Sequence, residues 1–215
     1  MSSTSGLAGR PQSRVMRVVP ARAEPQEDDA ALVEAVRARM PRAAGRLWDR
    51  HSGTVRRILR RILGPSVDVE DAVQDAFLRL FRDLDSLRDP AALRSFLIGI
   101  TLHVAKSELR RRRAKRWLLL SDDGVLAEPE ANVDPQYLEQ RAALVSLYRV
   151  LDKLGAERRA VFVLRFVEGL ELSDLSAVLG CSLATTKRRV ADAARRVCLL
   201  AGGDPLLAPY VTRAS

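Results

Sequence analysis

"SDLSAVLGCSLATTKRRVADAARRV", residues Ser173–Val197, holds the pattern that decides the fold. Ser173 can cap a short helix that runs through Leu179. Gly180 breaks it, because glycine takes the left-handed backbone that ends a helix without a Cβ penalty. Ser182 can cap a second, longer helix from Leu183. At about 100° per residue, Leu183, Thr186, Val190, Ala193 and Val197 share one face. Thr185, Arg188, Arg189, Arg195 and Arg196 point away from it, and Lys187 lies on the flank. A short helix, a three-residue turn with glycine and a longer helix make a helix-turn-helix pattern. Its second helix then offers hydroxyls near the N-terminus for base edges and guanidinium groups for phosphate. Thr186 occupies a seam position where an aliphatic residue is usual. Its hydroxyl can return to a backbone carbonyl.

The chain around this stretch has 215 residues, of which 47% are hydrophobic and only 5% aromatic. Alanine, leucine, valine and arginine dominate, which favours helix over sheet. The formal net charge of +9 suits an anionic partner such as nucleic acid. Two cysteines, Cys181 and Cys198, form no CxxC pair and fit a reducing, cytoplasmic setting. No apolar run approaches the ~20 residues that span a bilayer. His51 and His103 have no metal-ligand spacing, and no phosphate-cradling loop or nucleophile triad is visible. Neither an enzyme nor a cofactor or metal site is therefore expected.

Upstream, helical patterning begins near Asp29, continues through Val55, Ile58 and Ile62, and stops at Gly64-Pro65. Asp68 can cap the next helix, with Asp71 three residues on. Val69, Ala72, Val73, Ala76, Phe77, Leu80, Phe81 and Leu84 follow one face of it. The opposite face carries Glu70, Asp71, Gln74, Asp75, Leu78 and Arg79. Leu78 is a large hydrophobe among polar neighbours, which suits a partner surface. Asp89-Pro90 starts another helix, with its stripe at Leu93, Phe96, Leu97, Ile100 and Val104. That helix ends in "KSELRRRRAKR", Lys106–Arg116. Ser121–Glu139 then holds six acidic residues and no basic ones. The expected organisation is all-α. It comprises a tail at 1–27, a helical domain at 28–118, a flexible acidic linker at 119–135, a helix-turn-helix domain at 136–200 and a tail at 201–215. Leu206, Leu207 and Tyr210 in the last segment either pack back on a domain or belong to the tail.

In this order, "DVEDAVQDAFLRLFRDL" (Asp68–Leu84), "SFLIGITLHVAKSELRRRR" (Ser95–Arg113) and "LDKLGAERRAVFVLRFVEGLELSDLSAVLGCSLATTKRRV" (Leu151–Val190) resemble bacterial RNA polymerase sigma factors. The type most resembled is the small extracytoplasmic-function (ECF) class of the sigma-70 family. The resemblance implies a non-catalytic protein that lends promoter recognition to core polymerase and helps open the duplex. Asp71, Gln74, Asp75 and Leu78 would contact a coiled coil of the largest core subunit. Arg88, Arg94, Ser95, His103, Lys106, Arg110 and Arg113 would meet the minus-ten element, with the turn before the helix holding an extruded base. Ser182, Thr185, Lys187, Arg188, Arg189 and Arg195 would read the minus-thirty-five duplex. An inhibitory anti-sigma partner is common in such a family. Phe96, Thr101 and His103 stand where the family often has Trp, Ala and Asn. Two other readings stay open at this point: a stand-alone operator-binding regulator, and a degenerate sigma relative that holds polymerase without opening promoters.

Overall fold

The computed structural model describes residues 29–65, 67–119 and 135–208, with side chains at 29–65, 67–115 and 139–208. The proposed N-terminal tail, nearly all of the acidic linker and the last seven residues, Tyr210 included, lie outside the described residues. All regular structure among the described residues is helical: α1 (Asp29–Arg37), α2 (Ala43–Leu63), α3 (Glu70–Asp83), α4 (Leu93–Leu119), α5 (Pro135–Asp152), α6 (Ala156–Phe162), α7 (Leu172–Leu179) and α8 (Leu183–Ala201). A turn of π-helix, Val163–Val167, extends α6.

The N-terminal half packs α1, α2, α3 and α4 around Leu47, Ile58, Val73, Phe77, Leu80, Leu93 and Leu97. Trp48 lies over Phe77 with ring centroids 4.4 Å apart. Gly64, at φ 113°, ends α2 where glycine-proline was expected to stop it. Asp68 does not cap α3 as expected. Its carboxylate accepts the Glu70 N–H at 3.0 Å, an Asx turn that leaves Val69 at the helix boundary. Glu70 instead ties α3 to α2 through two hydrogen bonds from Arg56, at 2.7 and 2.8 Å.

The C-terminal half packs α5 to α8 around Leu151, Leu164, Leu175, Ala193 and Val197. Ser173 does not cap α7, because the helix begins one residue earlier with Glu171 at the boundary. The segment after α8, grouped with a tail, packs back through Leu207, which is buried. Asp204 accepts the Ser146 hydroxyl of α5, which pins that segment in place.

The two halves share one continuous core. Helix α4 explains how. Its expected stripe faces α2 and α3, but Ile98, Leu102 and Ala105 on another side are also buried. A helix apolar on more than one side is buried on more than one side. Here α6 and α7 supply the second cover. Gly99 sits so near α7 that a Cβ would lie 3.5 Å from the Val178 carbonyl oxygen.

Polar contacts fasten the same seam. Glu168, at the end of the π-turn, has a side chain only 3% exposed. It accepts from Arg61 at 2.7 Å and Arg57 at 3.3 Å, both on α2. Arg61 also donates to the Val167 carbonyl. Arg159 of α6, 2% exposed, donates to the Ile62 carbonyl and pairs with Asp152. Its guanidinium also lies over the Tyr148 ring, 5.8 Å from the centroid.

Candidate nucleic-acid interface

Helix α3 buries Val73, Ala76, Phe77 and Leu80 and turns Asp71, Gln74 and Leu78 outward. Leu78 is 69% exposed. Asp75 lies on the same side, and its carboxylate accepts from Arg79 at 2.9 Å. The face is therefore a bare leucine ringed by acids and an amide, on a helix held rigid from behind.

The turn between α3 and α4 presents Arg88, which is exposed. Asp89 accepts the Ala91 N–H at 3.0 Å and caps the 3-10 turn that leads into α4. Ser95, His103, Lys106, Arg110 and Arg113 fall on one side of α4 at about 100° per residue. Among the described residues Arg88, Lys106, Arg110 and Arg113 make no ion pair, so their charges face outward unmatched. Arg94 is not brought to that side. It lies more than a third of a turn from the middle of that side, where its charge acts on His51. Ser95 and Lys106 are only partly exposed. Within the arginine run, Arg111 and Arg112 both bond Glu108, at 2.8 and 2.6 Å. Burial works against that carboxylate's charge, but the two guanidiniums outweigh it and lower its pKa. Thr101, in place of the usual alanine, is fully buried and returns its hydroxyl to the Leu97 carbonyl at 2.8 Å.

In the helix-turn-helix, Gly180 takes φ 59° and ends α7 as expected. Ser182 caps α8 and accepts the Thr185 N–H at 3.3 Å. Its hydroxyl donates to the Thr185 hydroxyl at 3.0 Å, so the two side chains are tied to each other. Thr186 is 0% exposed, and its hydroxyl donates to the Ser182 carbonyl at 3.1 Å. Leu183, expected in the buried seam, is instead 45% exposed. It is the first residue of α8.

Lys187 and Arg188 are exposed and make no ion pair among the described residues. Arg189 is drawn aside. It pairs with Glu157 of α6 at 2.9 Å, so it serves the packing of α8 as much as its outer face. Arg158 pairs with Asp192 at 2.6 Å in a second clasp of the same kind. Arg195 faces outward with Asp192 at 3.5 Å. Sequence reasoning passed over Ala184 and Ala191, which share the outward side with Arg188 and Arg195. Both are exposed, so the helix surface beside those arginines is low. Extending the helical projection to the small residues would have found them.

Two family models match the chain: Sigma-70 region 2 over residues 47–115 and Sigma-70 region 4 over residues 144–197. RNA polymerase sigma factor CnrH of Cupriavidus metallidurans is 31% identical over 84% of this chain and 97% of its own length. ECF RNA polymerase sigma factor SigM of Mycobacterium tuberculosis is 32% identical, covering 82% of this chain and 86% of that protein. The chain belongs to the ECF sigma factors. In the solved structures, CnrH in complex with the cytosolic domain of CnrY superposes with a TM-score of 0.58, at 28% identity over 82% of this chain and 98% of that one. The sigma factor RpoE of Bartonella quintana, with the anti-sigma factor NepR, gives 0.51 at 25% identity over 76% of this chain and 99% of that one. A sigma factor directs RNA polymerase to promoters, and this one carries both regions of the family in the expected order. The region 2 match removes the stand-alone regulator, which gives no reason for α2 to α4. No described helix is long and apolar enough to cross a membrane.

Proposed function

We propose that this sigma factor reads its promoter in two parts and docks on polymerase through a third surface. The outer face of α3, with Asp71, Gln74, Asp75 and Leu78, binds a coiled coil of the largest core subunit. Arg88 and Ser95 hold an extruded base of the melted minus-ten strand, and Arg94 approaches it from the next face of α4. His103, Lys106, Arg110 and Arg113 track its phosphates. Helix α8 enters the duplex of the minus-thirty-five element with Ser182, Thr185, Lys187, Arg188 and Arg195, while Arg189 reaches phosphate only from its pair with Glu157. The observation that carries this reading is that two helix faces in separate halves of the chain carry cations with no ion pair among the described residues: Lys106, Arg110 and Arg113 on α4, and Lys187 and Arg188 on α8.

The geometry adds a requirement. The two elements lie about 25 base pairs apart by name, or ~85 Å at 3.4 Å per pair. The chain between Leu119 and Pro135 reaches at most ~55 Å when extended. We infer that the halves part at the seam of Glu168 and Arg159 when both elements are engaged together. The protein works in the cytoplasm, and an anti-sigma partner would act by holding the halves in place.

The test is run-off transcription with purified core polymerase and a library of upstream fragments. Specific initiation that depends on adding this chain supports the proposal. Tight operator binding without any core dependence, or core binding with no initiation on any fragment, overturns it.

A further inference from the structure

Arg37, the last residue of α1, reaches across to the turn that follows α3. Its Nη2 donates to the Leu84 carbonyl at 3.0 Å and to the Leu87 carbonyl. Leu84 O already accepts the Leu87 N–H at 3.1 Å, so Arg37 takes up its second lone pair. Carbonyls at a helix end have no partner within the helix and carry partial negative charge, which a guanidinium satisfies on both counts. The Leu87 carbonyl belongs to the peptide bond from which Arg88 hangs. Leu84 and Leu87 are both buried and anchor the turn from below. With Arg37 above, that peptide plane is fixed from two sides, and Arg88 has one direction to leave it.

The arginine is itself held in place. Glu34 accepts from Nη1 at 2.8 Å, one turn earlier on α1. At the other end of α1, Asp29 bonds Arg50 at 3.0 Å and His51 at 3.2 Å on α2. Arg37 Nε is buried with no acceptor among the described residues. An unpaired buried donor carries a cost, and it is borne here to bring Nη2 to two carbonyls. Helix α1 thus acts as a strut between the body of α2 and the turn.

We propose that Arg37 is a positioning residue for reading the minus-ten strand: through the Leu84 and Leu87 carbonyls it fixes the turn from which Arg88 and the start of α4 take hold of an extruded base. The inference rests on the assignment of that turn to base capture made above.

The test uses the full chain bound to core polymerase and single-stranded DNA oligonucleotides of randomised sequence, with sequencing of the bound fraction. The wild type enriches one base at the position held by the turn, and Arg88→Ala abolishes that enrichment. Arg37→Met lowers the same enrichment by about fivefold or more, the scale of one lost base contact, and leaves other positions and core binding unchanged. Arg37→Lys, which keeps a charged donor nitrogen for the carbonyls but loses the planar fork that also bonds Glu34, falls between. If Arg37→Met leaves the enrichment intact while Arg88→Ala removes it, the inference fails and the base-capture reading stands. If it lowers every position and core binding alike, Arg37 is only a stabilising residue and the inference fails. If Arg88→Ala does not change the profile, the base-capture reading fails and takes the inference with it.

Discussion

Arg188 and Arg189 are neighbours in sequence and differ in freedom. Arg188 leaves α8 on the outer face with no ion pair among the described residues, whereas Arg189 is held by Glu157 at 2.9 Å. Arg188→Ala should therefore cost about 1–3 kcal/mol at one promoter position if it meets a base edge. Binding measured against single-base promoter variants shows this as a loss confined to one position. A loss spread evenly over all variants would mark a phosphate contact instead. His51 makes a second residue-scale prediction. Burial, which outweighs the Asp29 carboxylate, holds its pKa below the ordinary 6.5. The unfolded chain then binds a proton that the folded chain refuses, so the stability is present above pH 6.5 and is lost as pH falls below it. The urea midpoint should drop more between about pH 7.5 and about pH 5.5 in the wild type than in His51→Gln. Equal drops would assign the acid sensitivity to other groups.

At the scale of the element, α3 and α4 are opposites. Helix α3 is one-sided, and its period of buried residues is plain in the sequence. Its outer leucine was legible there too, because nothing on its own helix accounts for it. Leu78→Asp should weaken binding to core polymerase by about 1–3 kcal/mol, in the range of interface anchor residues, and leave the unfolding midpoint unchanged. Pull-down against purified core together with a denaturant titration separates the two effects. Helix α4 was legible only in part. Its first stripe was clear, but Ile98 and Leu102 fall outside it, and the partner that buries them lies in α6 and α7, far along the chain. The helix-turn-helix was readable to the residue at Gly180 and Ser182, where the turn imposes its own chemistry. The cap at Ser173 was not, because sequence distinguishes poorly between a capping serine and one already inside the first turn. Ser176 shows the same local economy, giving its hydroxyl to the Ser173 carbonyl at 2.7 Å.

At the scale of the molecule, the seam between the halves rests on a buried carboxylate from one half and two arginines from the other. Glu168→Ala removes the carboxylate and leaves Arg57 and Arg61 facing a closed surface. Because both arginines stay partly in solvent, the expected loss is modest, about 1–2 kcal/mol, and falls on the contact between halves. Energy transfer between dyes on α2 and α8 should decrease while the helical circular dichroism signal holds. Unchanged transfer would show that the apolar side of α4 alone keeps the halves together.

Local pattern decided what kind of protein this is. Helical periods, glycine and serine at fixed offsets and the run at Asp71–Phe77 are short-range features, set by backbone geometry within a few residues, and they named the elements, their order and the family. Side-chain partners separated by dozens of positions have no such local signature. That Arg189 is tied to Glu157, that Arg37 holds the Leu87 carbonyl, and that Glu168 joins halves more than a hundred residues apart were settled by the tertiary structure. An ion pair is fixed by where two chains meet in space, and no period along one chain encodes that.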